Sequence, residues 1–212
     1  MYLYSSVYHL VTGCCLDNYR FDFPSQSINY IECHDNYTAY DYGKYVLKLD
    51  EEKLIDGCRL AMQIIAISYG AVFYHAGQEF YRTKQGEENS YKSNDEINIY
   101  DEARKEKYMS DINGLKSLLK IRKKYPEFRI DNPVIIEKRV KVNENLCTRN
   151  TLVYTITGVS NKFSIVIKNN KETYKFQCPG NMIFNGRQHC NMIGPDYTLS
   201  DVGVYIFIEE LK

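Results

Sequence analysis

The sequence predicts an α/β arrangement followed by an all-β region, with the change near residue 130. Strand-like and helix-like runs alternate from residue 28 to residue 124. After Asp131-Asn132-Pro133 only short β-rich runs recur, separated by turns such as Asn169-Asn170 and Asn185-Gly186.

Residues 28–34 (INYIECH) follow Pro24-Ser25-Gln26-Ser27 and read as a first strand. Residues 51–69 carry Leu54, Ile55, Cys58, Ala61, Met62, Ile65 and Tyr69 at helical spacing. Ile64 and Ile67 widen that face, so the helix is expected to be largely buried, and Gly70 can end it. Residues 71–76 (AVFYHA) read as a second buried strand. The polar stretch 81–107 is long enough to be a functional loop. Ser110 reads as the N-cap of a further helix with Ile112, Leu115, Leu118, Leu119 and Arg122 on one face. Lys120, Arg122, Lys123 and Lys124 suit its C-terminal dipole, and Pro126 stops it. This order is that of βα units on a parallel sheet. Runs at 134–142, 151–157, 163–168, 173–177, 181–184 and 203–209 read as an antiparallel sandwich or small barrel. The expected domains are residues 1–130 and 131–212.

Two βα units cannot cover both faces of a parallel sheet. Either the chain is the tail of a larger protein or these elements pair in some other way.

Among the 212 residues, 25% are charged and 44% hydrophobic, which suits a globular chain. Lys+Arg and Asp+Glu are 27 each, and no basic block occurs, which argues against nucleic acid as partner. No apolar run approaches the length of a membrane span. Seven cysteines without a CxxC pair read as reduced thiols, with a cytoplasmic location expected. Met1 to Cys15 lacks a basic n-region and does not read as a signal peptide. The 20 tyrosines, with no tryptophan, can cover core edges or form sugar-stacking platforms.

The sharpest chemical signal is Glu32-Cys33-His34-Asp35-Asn36, at the end of the first expected strand. In barrel enzymes catalytic residues sit at the C-terminal ends of parallel strands. A His-Asp pair there can exchange hydrogen bonds with vicinal sugar hydroxyls, and the carboxylate can stabilise developing positive charge. Glu79, at the end of the second strand, is equally readable as a cleft residue or as an organiser of the strand–loop junction. His75 reads as a core histidine. Cys178, His189 and Cys190 lack a zinc-like spacing, so no metal is expected. No phosphate loop or nucleotide fingerprint occurs, so no organic cofactor is expected.

Ser27-Ile28-Asn29-Tyr30-Ile31-Glu32-Cys33-His34-Asp35-Asn36, with Thr38 and Asp41, closely resembles the seventh-strand motif of type I pullulanases, debranching enzymes of the alpha-amylase superfamily. His75-Ala76-Gly77-Gln78-Glu79-Phe80, with Arg82-Thr83-Lys84, Gly86, Glu88-Asn89-Ser90-Tyr91, Ser93 and Asp95-Glu96-Ile97-Asn98, resembles the eighth-strand motif and its loop. Leu118, Arg122-Lys123 and Pro126-Glu127-Phe128-Arg129 resemble the end of the last barrel helix. The resemblance covers residues 24–130 well and 131–212 weakly.

The resemblance implies the last two βα units of a (β/α)8 barrel followed by an antiparallel β-sandwich domain. It implies a retaining hydrolase of α-1,6 branch linkages in pullulan, starch or glycogen-type glucans, with a nucleophile on strand four and a general acid on strand five. Neither strand is in this chain, so the chain alone is expected to be inactive, and the missing N-terminal barrel half is an expected partner. Asp35 falls on the transition-state stabiliser. His34, Asn36, Tyr40, Arg82, Asn89 and Tyr91 fall on substrate-binding positions. Two other readings stay open: an amylase or isoamylase of the same superfamily, and a non-catalytic glucan-binding or structural remnant.

Asp17-Asn18-Tyr19-Arg20-Phe21-Asp22 looks like the family's nucleophile motif, but Asp22 and His34 are only 12 residues apart. Three βα units, at about 30 residues or more each, cannot fit between them, so residues 17–22 read as a loop. Tyr37, Ala39, Tyr40 and Tyr42 stand where the family usually has His, Leu, Trp and Lys, and Val72 stands where Pro is usual. Glu102 replaces a Trp, which puts substrate contacts from that loop in doubt.

Overall fold

The computed structural model describes residues 3–16 and 20–211. Asp17, Asn18 and Tyr19 of the nucleophile-like motif lie outside the described residues. Asp22 sits in an exposed turn before Pro24, its backbone N–H donating to Gln26 at 2.9 Å. That placement fits a loop.

The chain opens with α1 (Leu3–Val11), which no cap or apolar run announces; Val11 is buried in the core, and Tyr8 packs against it. β1 (Ile28–Asn29) is only two residues long. The turn α2 (Ala39–Asp41) runs on as a wider π turn over Tyr42–Val46. α3 (Glu51–Ile67) begins where Asp50 accepts from the Lys53 N–H at 3.0 Å. β2 (Ala71–Val72) follows Gly70, whose φ of +91° is open to glycine at little cost. The segment 81–107 is not a bare loop: it holds α4 (Asp95–Asn98) and α5 (Glu102–Lys107), the latter capped by Asp101. α6 (Met109–Lys124) starts at Met109, so Ser110 is inside the helix and does not cap it; the helix ends before Pro126 as expected.

The run 134–142 is mostly helix, α7 (Pro133–Arg139), and only β3 (Val140–Val142) is strand. Asn132 accepts from the Ile135 N–H at 3.2 Å and Pro133 takes the first helical position. A pair that reads as a turn is therefore a helix start. Then come β4 (Thr151–Thr157), β5 (Asn161–Lys168), β6 (Tyr174–Gln177), β7 (Asn181–Asn185), β8 (His189–Met192), β9 (Asp196–Leu199) and β10 (Gly203–Glu210). β8 and β9 were not anticipated from the sequence.

Six strands form one antiparallel sheet in the order β3-β4-β5-β10-β7-β8, and β6 pairs with β9 in a separate ribbon. Alternation along β10 sends Val204 and Ile206 to one face and Tyr205 and Phe207 to the other. The first face joins α3, α6 and α7 in a core containing Leu54, Met62, Leu118, Phe128, Ile136, Phe163 and Ile165. The second face packs on the ribbon, where the Phe207 ring lies 4.8 Å from Phe176 and 4.7 Å from Tyr197. Both faces are apolar, so the central strands read as continuous hydrophobic runs.

The helices are tied to the sheet by side chains. Gln63 of α3 donates to the Gly186 carbonyl and accepts from the Val204 N–H, both at 2.8 Å. Phe163 of β5 meets Tyr125 and Phe128 edge-on at 5.0 Å each. Arg122 of α6 donates to the carbonyls of Ala66, Ser68 and Gly70, filling acceptors left open around the end of α3, and to that of Phe128 in the turn after its own helix. All seven cysteines are free. Among the described residues no helix is long and apolar enough to cross a membrane.

Candidate functional site

β1 and β2 run parallel, with Ile28 opposite Ala71 and Asn29 opposite Val72. The intervening helix α3 returns the chain in the same direction, as a crossover requires. Strand geometry ends after two rungs, so the expected strands 28–34 and 71–76 are both shortened. Beyond those rungs the chain is held by side chains instead of a ladder.

Glu32 is the pivot. Its carboxylate is buried, accepts from the Ala39 N–H at 2.6 Å, and meets His75 Nδ1 at 3.0 Å. His75 is thus half of a pair joining the two strand ends, beyond a bare core role. Asp41, fully buried, accepts from the Thr83 hydroxyl and from the Lys84 N–H. The Lys84 ammonium donates to the His34 carbonyl at 3.1 Å, and burial holds its pKa below the ordinary lysine value. The two motifs therefore face one another on one side.

These ties leave His34, Asp35 and Asn36 on a short exposed turn. Asn36 adopts a left-handed φ of 63°. His34 Nε2 lies 3.4 Å from Asp35 Oδ2, and the two side chains are 82% and 64% exposed. An imidazole, a carboxylate and an amide side by side, open to solvent on a pinned backbone, can donate to and accept from neighbouring hydroxyls.

The other expected substrate contacts are placed differently. Tyr40 is buried at 5% exposure: its hydroxyl donates to Glu51 at 2.8 Å and the Arg104 guanidinium covers its ring at 4.1 Å. Arg82 is also buried, donating to the Asn98 carbonyl and lying 4.8 Å from the Tyr100 ring centre. Tyr40 and Arg82 therefore build the loop from within and present no open face. Asn89 and Tyr91 are exposed. Glu79 accepts from the Gly77 N–H at 3.0 Å, which is the junction role. Gly77 has φ +95°, and a Cβ there would come within 2.7 Å of Arg82 Cδ. Tyr37 reaches Glu88, and that hydrogen bond raises the phenol's pKa. Glu32, Asp41 and Lys84 stand in the two motifs, but the sequence reading gave them no role; the acids on either side of the His-Asp pair were the available signal.

Beside the turn, an apolar groove of about 790 Å³ is lined by Ile31, Tyr42, Val46, Leu47, Leu49 and Leu54 among others. Ile28, Tyr30 and Phe73 stand exposed on the strand edges.

No protein-family model matches the chain. The pullulanase of Bacillus subtilis strain 168 is 42% identical over 119 residues, which is 56% of this chain and 17% of that protein. The crystal structure of pullulanase type I from the same organism, complexed with maltose, superposes with a TM-score of 0.87 at 27% identity over 98% of this chain and 31% of that chain. The pullulanase of Anoxybacillus sp. LM18-11, complexed with maltotriose, gives 0.84 at 28% identity over 97% of this chain and 30% of its own. The chain thus resembles pullulanases in sequence and in fold, and spans under a third of the length of each of these relatives.

Proposed function

We propose that the chain is the C-terminal part of a retaining pullulanase-like glycoside hydrolase, comprising the last two βα units of a (β/α)8 barrel (residues 1–130) and a β-sandwich domain (residues 131–212). The observation that carries this reading is the exposed His34–Asp35 pair on the turn that follows β1, which runs parallel to β2, in a chain whose fold superposes on pullulanases solved with maltose and maltotriose. The whole enzyme would hydrolyse α-1,6 branch linkages in pullulan, starch or glycogen-type glucans.

In that reaction a carboxylate on the fourth strand attacks the anomeric carbon while an acid on the fifth protonates the leaving oxygen. Asp35 supplies a third carboxylate that stabilises the oxocarbenium-like charge, acting in the pre-aligned manner by which such electrostatic groups work. His34 and Asn36 hold hydroxyls of the same sugar. Asn89 and Tyr91 reach the glucan from the second loop, while Tyr40 and Arg82 act from beneath by fixing that loop. The rest of the barrel covers the apolar groove and the bare edges at Ile28, Tyr30 and Phe73. The free thiols suit a cytoplasmic setting.

Two assays test this. The purified chain alone should release no reducing sugar from pullulan. Fused in place of the matching region of the Bacillus subtilis enzyme, it should support hydrolysis, with Asp35→Asn costing at least about 100-fold in kcat. Release by the chain alone, or a fusion indifferent to Asp35→Asn, would overturn the reading.

A further inference from the structure

We propose that Cys33, His34 and Asp35 form a binding site for a thiophilic divalent cation of the zinc class. One ligand atom from each side chain lies within 4.8 Å of the other two, and among the described residues no other group of three ligand-type side chains gathers so closely. Cys178, His189 and Cys190 do not.

The geometry is close to what such an ion needs. Tetrahedral ligands at bond lengths of about 2.0–2.1 Å stand about 3.4 Å apart, and His34 Nε2 and Asp35 Oδ2 are 3.4 Å apart. The remaining closure falls on the Cys33 sulfur, which sits 3.7 Å from the Asp35 carbonyl of the same turn. His34 and Asp35 are mostly exposed and free to rotate, whereas their backbone is fixed by Lys84 and by the Glu32–Ala39 bond. Binding therefore has only side-chain rotamers left to order. A thiolate, an imidazole and a carboxylate together suit zinc better than calcium or magnesium. Three protein ligands leave one position for water.

On binding, the sulfur forms a bond to the cation and its proton leaves to solvent, so affinity rises with pH. Other thiols compete poorly: burial raises the pKa of Cys58 to about 12, and raises those of Cys14, Cys15, Cys147, Cys178 and Cys190 as well. The site itself does not depend on the proposed reaction. Its consequence does: a bound cation would occupy His34 and Asp35 and so exclude glucan.

The test is calorimetric titration of the full chain with zinc chloride in a non-chelating buffer at neutral pH. One zinc per chain is expected. Cys33→Ala and His34→Ala should each weaken it by more than about tenfold, while Cys190→Ala leaves it unchanged. With cadmium as probe, thiolate charge-transfer absorbance should appear and vanish in Cys33→Ala. Absence of zinc binding, or binding indifferent to both Cys33→Ala and His34→Ala, would overturn the proposal. Circular dichroism of His34→Ala, an exposed position, guards against loss of fold. Neither result depends on whether the chain serves a debranching enzyme.

Discussion

The β4–β5–β10–β7 region and the β1–β2 region both contain hydrogen-bonded strands, yet they are built on opposite terms. β5 and β10 pair over eight rungs, from Gly203–Lys168 to Glu210–Asn161, with apolar side chains covered on both faces. β1 and β2 share two rungs, and Ile28 is 66% exposed. The sheet is held by burial and by its own ladder. The strand pair is held by what grips its flanks: α3 behind it, and Glu32, Asp41 and Lys84 in front. A segment that presents reactive groups is thus hung on a scaffold that does not need it.

The largest expected effect breaks the joint between the sheet and the helical layer beneath it. Phe163→Ala removes a fully buried ring wedged against Tyr125 and Phe128, and should cost about 3–5 kcal/mol in urea unfolding. A loss under about 1 kcal/mol would mean that the helices do not rely on the sheet. Next comes Arg122→Met, which strips donors from three carbonyls around the end of α3 and from that of Phe128, and should cost about 3 kcal/mol.

The third concerns acid. Burial pushes the Asp56 carboxyl up, but hydrogen bonds and charge from Lys171 and Arg59 outweigh it, so its pKa lies below the ordinary value. A carboxylate with a lowered folded pKa contributes stability above its unfolded value and loses it as pH falls through the folded one. Asp56→Asn should therefore cost about 1–3 kcal/mol near pH 7. Its Tm should converge on the parent's as pH drops below 3.8. A gap that persists into acid would show that packing, not charge, is at work. The smallest effect is Ile28→Ser, expected within about 0.5 kcal/mol because its side chain meets solvent.

These contrasts also explain what was readable from sequence. β4, β5 and β10 are long apolar runs and were legible nearly to the residue, as was the start of α3; the helix stops at Ile67, two residues short of the expected end, and its Asp50 cap was not read. β8 (HCNM) and β9 (DYTL) are short, with mostly exposed positions in β8, so their pattern carries little signal. α7 hid behind β-branched Val134, Ile135 and Ile136, whose propensity the Asn132 cap and Pro133 override. The His34–Asp35 turn was legible through its motif. Its support was not, because the Glu32–His75 and Asp41–Lys84 contacts join residues 43 apart in sequence, and spacing alone does not reveal such pairs.

Amide hydrogen exchange resolved by residue, with size-exclusion chromatography alongside, tests most directly whether the strand pair leans on a self-sufficient sheet. Slow exchange is expected from Phe163 to Lys168 and from Val204 to Phe207. The Ala71 and Phe73 amides, bonded to Ser27 and Asn29 across the short pair, should exchange near the unprotected rate, in a chain prone to self-association through Ile28, Tyr30 and Phe73. Equal protection of both regions in a clean monomer would contradict this account.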